Sequence, residues 1–301
     1  MNVLITGVAG FIGSKIAEAA VRQGYSVYGV DDLSQGYNKN IPKNVTFMKI
    51  DLSDKAQIQN LPDEIDIIMH LAGQSSGEIS FDDPVLDLKK NTVSTLNLIE
   101  YGIQKRAQKI IYASSMSVYG DVQDSPVSEN NNCFPISCYG VGKLAAENYL
   151  KIYQEQLPFV IFRMFNVYGP GQDMNNLRQG MVSIFLQHAL VEAHIPVKGS
   201  LKRYRDFIYI DDVVEIWLQA INNRSAVNKI FNLGTGVKTT IENLLIQIKR
   251  ILPEITWSQI PGTLGDQYGV YADTSNLVKA FDLSSFIVLN VGLENFMRYL
   301  K

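Results

Sequence analysis

Two groups of residues in this chain have types and spacings that chemistry can use. Tyr139 and Lys143 stand in Tyr139-Gly140-Val141-Gly142-Lys143, at the head of a segment with helical apolar spacing. Residues four apart share a helix face, so the phenol and the ammonium project together. Upstream, an apolar run ends in Ala113-Ser114-Ser115 and carries the Ser115 hydroxyl to the end of a strand. A phenol ordinarily ionises near pH 10, too high for a base at neutral pH. Lowering that value by roughly three units takes about 4 kcal/mol, which cationic neighbours in a partly dry cleft can supply. The trio predicts proton transfer at a substrate hydroxyl, with Tyr139 as base, Lys143 as its cation and Ser115 holding the substrate oxygen. The plain alternative is a Tyr–Lys pair on a solvated helix face.

The second group is Gly7-Val8-Ala9-Gly10-Phe11-Ile12-Gly13, which joins the first predicted strand to a helix. Gly7 permits a tight turn, Gly10 lets a pyrophosphate approach the backbone, and Gly13 lets helix and strand pack closely. Phosphates then sit at the positive end of the helix, beside Phe11 and Ile12. The second strand ends in Asp31-Asp32, roughly 20 residues past the last glycine, where a carboxylate can accept the adenosine ribose hydroxyls. A carboxylate there repels a 2′-phosphate and no Arg stands beside it, so NAD is expected in preference to NADP. The positive nicotinamide ring would be a second cation near Tyr139. Asp51, closing the third strand, and Leu52 are expected at the adenine, with an ordinary helix cap at Asp51 left open.

These groups need a scaffold. Val3–Thr6, Ser26–Val30, Val45–Ile50, Ile67–Leu71, Lys109–Ala113 and Phe159–Phe162 read as strands, with helical patterns such as Ile12–Gln23 and Thr92–Lys105 between them. That alternation predicts an α/β fold: a Rossmann-type, doubly wound parallel sheet with a smaller C-terminal α/β substrate-binding lobe. Residues 1–165 form the expected NAD-binding unit and 166–301 mainly the substrate lobe, with 206–232 returning to the first unit. The strand Phe207–Ile210 is expected to rejoin the main sheet.

Composition narrows the partners. A net charge of -3 argues against nucleic acid, since phosphate backbones need a basic face. The cysteines Cys133 and Cys138 form no CxxC pair, and His70, His188 and His194 are scattered, so no metal site is expected. Both thiols read as free. No apolar run approaches a membrane span, and the first strand starts too early for a signal peptide. A cytoplasmic location is expected.

Taken with further stretches, these residues resemble the extended short-chain dehydrogenase/reductase family, and within it the NAD-dependent nucleotide-sugar epimerases and dehydratases. The resemblance rests on Gly7–Gly13, Asp31–Gly36, His70–Gly73, Asn91, Ser114–Gly120 and Tyr139–Lys143. It continues through Arg163–Gln172, Arg205–Asp212, Phe231–Gly236 and Tyr271–Asp273. It implies that Leu71, Ala72, Gly73, Asn91 and Ser114 line the cofactor, which makes His70 structural. It implies that Asn166 and Arg205 hold the diphosphate of a sugar nucleotide, with Pro196–Ser200 beside the base. Pairing of Arg205 with Asp206 or Asp211 stays open as the plain alternative. Val270 falls at the family's gate near the sugar C2 substituent. Family members usually form homodimers through the helix after Asn91 and the Tyr–Lys helix, where Leu144, Ala145, Tyr149 and Ile152 are apolar.

Departures from the pattern bear on the reaction. Met116 and Ser117 stand where family dehydratases carry an Asp–Glu pair, which disfavours dehydration. Cys133 and Cys138 do not match the cysteine of the family's GDP-fucose-forming reductases. The stretch Pro261-Gly262-Thr263-Leu264-Gly265-Asp266 lacks the second diphosphate arginine, for which Lys202, Arg203 or Arg178 are candidate replacements. The resemblance therefore implies a nucleotide-sugar 4-epimerase, with a 4-ketoreductase or dehydrogenase as the alternative and a non-catalytic NAD sensor as a third. Cell-surface polysaccharide synthesis is the setting that the family suggests.

Overall fold

The computed structural model of the chain describes every residue except Leu264 and Asp266. In chain order the strands are β1 (Asn2–Thr6), β2 (Ser26–Asp31), β3 (Thr46–Lys49), β4 (Ile67–His70), β5 (Lys109–Ser115), β6 (Phe159–Met164), β7 (Asn166–Tyr168), β8 (His194–Lys198), β9 (Tyr204–Arg205), β10 (Phe207–Tyr209), β11 (Lys229–Leu233), β12 (Thr239–Thr240) and β13 (Thr256–Ile260). The α-helices are α1 (Phe11–Arg22), α2 (Pro84–Leu88), α3 (Ser94–Gln104), α4 (Cys138–Ile152), α5 (Met181–Glu192), α6 (Ile210–Asn222), α7 (Ile241–Ile251), α8 (Ser275–Phe281) and α9 (Leu289–Leu300).

Seven strands form one parallel sheet in the order β11-β6-β5-β4-β1-β2-β3. The near-continuous apolar strands are the reason, because a parallel sheet is covered on both faces and successive side chains alternate between them. Val3 and Ile5 pack against Ile16, Ala17 and Ala20 of α1 and Trp217 of α6. Leu4, Ile68, Ile110 and Ile161 pack the other way, against Leu98 and Ile99 of α3 and Ala146 and Leu150 of α4. The strand order reverses between β1 and β4, and the carboxyl ends there open the crevice that binds ligands in such folds.

The return to the main sheet differs from expectation. Phe207–Tyr209 pairs in parallel with Asn166–Tyr168 as a separate two-stranded ribbon. The strand that joins the sheet edge is Lys229–Leu233, in register with Val160–Met164. Arg205, just before β10, borders the cleft, and the chain joins the sheet edge only after α6. A further apolar cluster gathers α5, α7, α9 and the parallel pair β8–β13, with Phe185, Leu186, Ile195, Val197, Leu244, Ile248, Phe296 and Met297 at its centre.

Behind β5 and β6 a polar group sits inside this apolar frame. Arg163 donates to both oxygens of Glu147, at 3.0 and 2.8 Å, and also to the Tyr119 hydroxyl. Ser114 donates to the same carboxylate at 2.5 Å. The charged side chains are 3% and 0% exposed. Breaking such a pair from one side leaves an uncompensated buried charge. Glu147→Ala is expected to lose about 3–5 kcal/mol of stability, read as a lower denaturation midpoint in urea or guanidinium. A loss under about 1 kcal/mol, the range of exposed pairs, would contradict this account.

Candidate functional site

One cleft of about 1090 Å³ runs along the carboxyl ends of the strands, at or above the usual range of about 300–1,000 Å³ for small-ligand sites. Its floor is the turn from β1 to α1. Gly7 has φ +72°, and a Cβ on it would come within 2.8 Å of the Ala72 nitrogen. A Cβ on Gly13 would lie 2.1 Å from the Gly7 carbonyl oxygen, so only glycine lets α1 start this close to β1. No side chain caps the first turn of α1, which leaves its N–H groups as donors toward the cleft, where Gly10, Phe11, Ile12 and Gly13 lie. A turn of this geometry can hold a pyrophosphate.

Asp31 ends β2 beside this turn and is 8% exposed. Its carboxylate accepts from the Ala9 nitrogen at 3.0 Å and the Leu33 nitrogen at 2.9 Å. Burial raises its pKa, and those hydrogen bonds work in the opposite direction. The loop after it folds back over the turn, where Tyr37 and Asn40 both donate to the Ala9 carbonyl. Asp32 and Asp51 share one cation: Lys90 lies 2.6 Å from Asp32 and 2.9 Å from Asp51. Asp51 also accepts from the Ser53 nitrogen and hydroxyl, so it both caps the turn after β3 and borders the cleft with Leu52. Burial opposes the charge on both carboxylates, but Lys90 and the neighbouring serines hold them below the ordinary value.

Lys90 is a residue that sequence reasoning missed. It stands on a π-helical turn, Lys89–Val93, between α2 and α3, and such turns occur frequently at functional sites. A lone lysine in a helical pattern reads as solvated surface.

Ser115, Tyr139 and Lys143 all line the cleft, together with Leu71, Ala72, Gly73 and Ser114. Ser137 caps α4 by accepting from the Gly140 nitrogen at 3.1 Å, which sets the helix start and hence the direction of Tyr139. The Lys143 ammonium donates to the Ala113 carbonyl at 2.9 Å and lies 5.7 Å from the Tyr139 ring centre. Burial pushes the Tyr139 phenol up to about 12, with Asp87 adding to the rise and a hydrogen bond with Ser115 opposing it. Burial likewise draws Lys143 down to about 8. The expected lowering of the phenol is thus not a property of the polypeptide alone. A dry wall penalises phenolate and ammonium alike, so the lowering depends on a further cation.

His70 is wholly buried between the hydroxyls of Thr6 and Thr95, at 2.8 and 3.0 Å. Burial, with Lys143 nearby, lowers its pKa to about 3, which makes it a neutral structural group. Among the described residues no cluster of His, Cys, Asp or Glu could hold a metal ion.

The other end of the cleft is cationic. Arg205 borders it yet is 3% exposed, and donates to the carbonyls of Tyr204 and Gln267 at 2.8 Å. Burial and Arg203 draw its pKa down to about 10. Asp206 turns away, accepting from Thr235, Gly236 and Ala272. Asn166 borders the cleft and donates to the Asp206 carbonyl at 3.1 Å. Of the candidate replacements for the second arginine, Arg203 and Arg178 line the cleft and Lys202 does not. Arg178 is ion-paired with Asp82 and Glu78, and Lys198 with Glu78. The expected Gly-Asp step lies partly outside the described residues, at Leu264 and Asp266.

Two expected residues stand behind the wall. Val270 is 0% exposed in an apolar cluster with Val118, Tyr119, Val127, Phe165 and Ala272, because pairing of Val127 with Ala272 draws its segment inward. Asn91 is also fully buried and lies behind Lys143 and Gly73.

Comparison with known proteins places this geometry. Residues 3–234 match the model of the NAD dependent epimerase/dehydratase family. The chain is 36% identical over 254 residues to the UDP-glucose 4-epimerase of Mycolicibacterium smegmatis, covering 81% of this chain and 80% of that protein. It is 33% identical over 265 residues to UDP-glucuronic acid decarboxylase 1 of Xenopus tropicalis, covering 85% of this chain and 61% of that protein. The crystal structure of UDP-glucose 4-epimerase with UDP-glucose from Thermotoga maritima superposes with TM-score 0.93 at 33% identity, covering 100% of this chain and 98% of that one. The chain therefore belongs to the NAD-dependent epimerase/dehydratase family, and its cofactor is NAD. Among the described residues no helix is long and apolar enough to cross a membrane.

The Lys90 ion pairs have a signed pH dependence. Asp32 and Asp51 sit below their ordinary values, so their contribution is present above about pH 4 and is lost as pH falls through the lowered values. Lys90→Met is expected to cost about 1 kcal/mol at neutral pH. Thermal denaturation across pH checks this, and the gap to wild type should close on acidification. A gap that stays constant through the acid range would rule the pairing out as its source.

Proposed function

We propose that this chain is a nucleotide-sugar 4-epimerase that uses NAD and acts on a UDP-sugar. The observation that carries the reading is that Tyr139 and Lys143, with Ser115 at the end of β5, line one cleft with the glycine turn and Arg205, and that β5 lies between β1 and β6 in the sheet. A dinucleotide and a sugar nucleotide would approach from opposite ends and meet at that trio. Gly7, Gly10 and Gly13 would hold the pyrophosphate of NAD, and Asp31 its adenosine ribose. When bound, NAD supplies a two-electron acceptor and donor, together with the ring charge that Tyr139 lacks in the protein alone. Tyr139 takes the proton from the sugar 4-hydroxyl at its phenol oxygen and returns it to the same oxygen in the inverted product. Ser115 donates to that sugar oxygen throughout. Lys143, fixed by the Ala113 carbonyl, keeps its charge beside the phenol. Arg205 and Asn166 anchor the diphosphate, so the sugar can turn while the nucleotide stays bound. The relatives named UDP-glucose 4-epimerase support this reaction, and Met116 and Ser117 supply no acid–base pair for dehydration.

We also propose a cytoplasmic homodimer. Val141, Tyr149 and Ile152 are 53%, 37% and 70% exposed along α4, a face that a second copy would cover. Static light scattering of the purified chain should give twice the monomer mass.

The activity test is incubation of the purified protein with UDP-glucose, and separately with UDP-N-acetylglucosamine, without added cofactor. Interconversion of C4 epimers is expected for at least one. Tyr139→Phe should reduce it roughly 10²–10⁴-fold, the usual worth of a positioned acid–base group. Failure with every C4 epimer pair, joined to net consumption of reduced cofactor on a 4-keto sugar nucleotide, would replace the epimerase by a ketoreductase.

A further inference from the structure

Behind the Tyr139–Lys143 pair lies a second polar group that the proposed reaction does not use. Asp87, on the last turn of α2, is 1% exposed. Its Oδ1 accepts from Asn91 Nδ2 at 3.1 Å. Its Oδ2 is buried with no hydrogen-bond partner, and so is Asn91 Oδ1. A buried carboxylate is costly unless its charge is answered, and here the answer lies across a glycine. A Cβ on Gly142 would sit 3.4 Å from Asp87 Oδ2 and 3.4 Å from Asn91 Cβ. Those are ordinary contact distances, so α4 packs directly on the carboxylate one position before Lys143. On the other side, a Cβ on Gly73 would meet Asn91 Oδ1 at 2.4 Å and Lys143 Nζ at 3.5 Å. Asp87, Asn91 and the Lys143 ammonium therefore form one buried string, packed through two glycines behind the cleft wall.

We propose that Asp87 is a positioning residue for the catalytic pair: it orients Asn91 toward Lys143 and sets, through its negative charge, the pH range in which Lys143 is charged and Tyr139 can ionise. The proposal rests on the reading of Tyr139 as the acid–base group. The charges facing Asp87 support it. From α4 come Lys143 and Tyr139, and from β5 comes Tyr112, whose ring lies 5.0 Å from Lys143 Nζ. His70 of β4 is neutral, Glu147 is matched by Arg163, and Lys90 is held by Asp32 and Asp51. The ionised Asp87 raises the pKa of both Tyr139 and Lys143. Burial lifts its own pKa to about 6, against the pull of Asn91 and Lys143.

The signs follow from that arrangement. Above about pH 6 Asp87 is charged and holds both partners' pKa values up; below it, Asp87 is neutral and the influence disappears. Asp87→Asn keeps an oxygen for Asn91 and removes the charge, with an amide NH2 in place of Oδ2. Its pH profile for kcat should move to lower pH on both limbs, and its rate should converge with wild type below about pH 6. A purely structural role would instead scale kcat by one factor at all pH values.

A second readout needs no turnover. Tyrosinate absorbance is titrated in wild type and Asp87→Asn, each against its own Tyr139→Phe variant. The Tyr139 signal should appear at lower pH in Asp87→Asn. If the titration moves and no epimerisation occurs, the charge coupling stands and the reaction assigned above fails. If epimerisation occurs and neither the titration nor the pH limbs move, this proposal fails alone. Should Asp87→Asn not fold, ¹³C-carboxyl NMR of wild type and Lys143→Met decides. Loss of the ammonium should move the Asp87 titration to higher pH, and an unchanged titration would overturn the coupling.

Discussion

Taking Tyr139 and Lys143 out of water is the constraint on which the arrangement of this cleft depends. Each is nearly covered by the wall between β5 and α4, and burial shifts the two in opposite senses, phenol up and ammonium down. A surface Tyr–Lys pair would keep its ordinary proton affinities, and its protonation would be indifferent to what bound nearby. The buried pair is sensitive to every charge within reach, because little water screens it. The cost is spread over specific contacts: the Ala113 carbonyl for Lys143, and Ser115 for Tyr139.

The parallel sheet makes this burial possible. Its strands are apolar on both faces, so helices cover both, and polar groups collect where the strands end. Along that edge the neighbours β1, β4 and β5 deliver Gly7, Gly73 and Ser115 from distant parts of the chain. Glycines then set the closeness of the layers: Gly13 between α1 and β1, and Gly73 between the end of β4 and the turn carrying Asn91. The glycine turn after β1 and Arg205 border the same cleft as Ser115, Tyr139 and Lys143, and β5 lies between β1 and β6 in the sheet.

Much of this was legible in the sequence, and the exceptions have physical causes. Gly7–Gly13, Asp31 and the Tyr139–Lys143 spacing are local patterns, each constrained within one turn or one helix face. Lys90 was illegible because its partners Asp32 and Asp51 are far away in the chain. Asp87 was illegible for a related reason, since a carboxylate in a helix pattern reads as surface. Phe207–Tyr209 has the composition of a sheet strand, and its pairing with Asn166–Tyr168 in place of β6 is a choice between long-range partners. Val270 falls at the family's gate by resemblance along the chain, and such resemblance carries no information on depth.

The sequence by itself determined the class of fold, the glycine turn after β1 and the spacing that brings Tyr139 and Lys143 together. Strand periodicity, positive-φ glycines and four-residue helical spacing are short-range consequences of backbone geometry. Tertiary structure alone decided the charge state of that pair, the Asp32–Lys90–Asp51 pairing, and which residues reach the cleft and which stand behind it. Those properties are set by burial and by through-space charge, and both depend on neighbours that only the folded chain supplies.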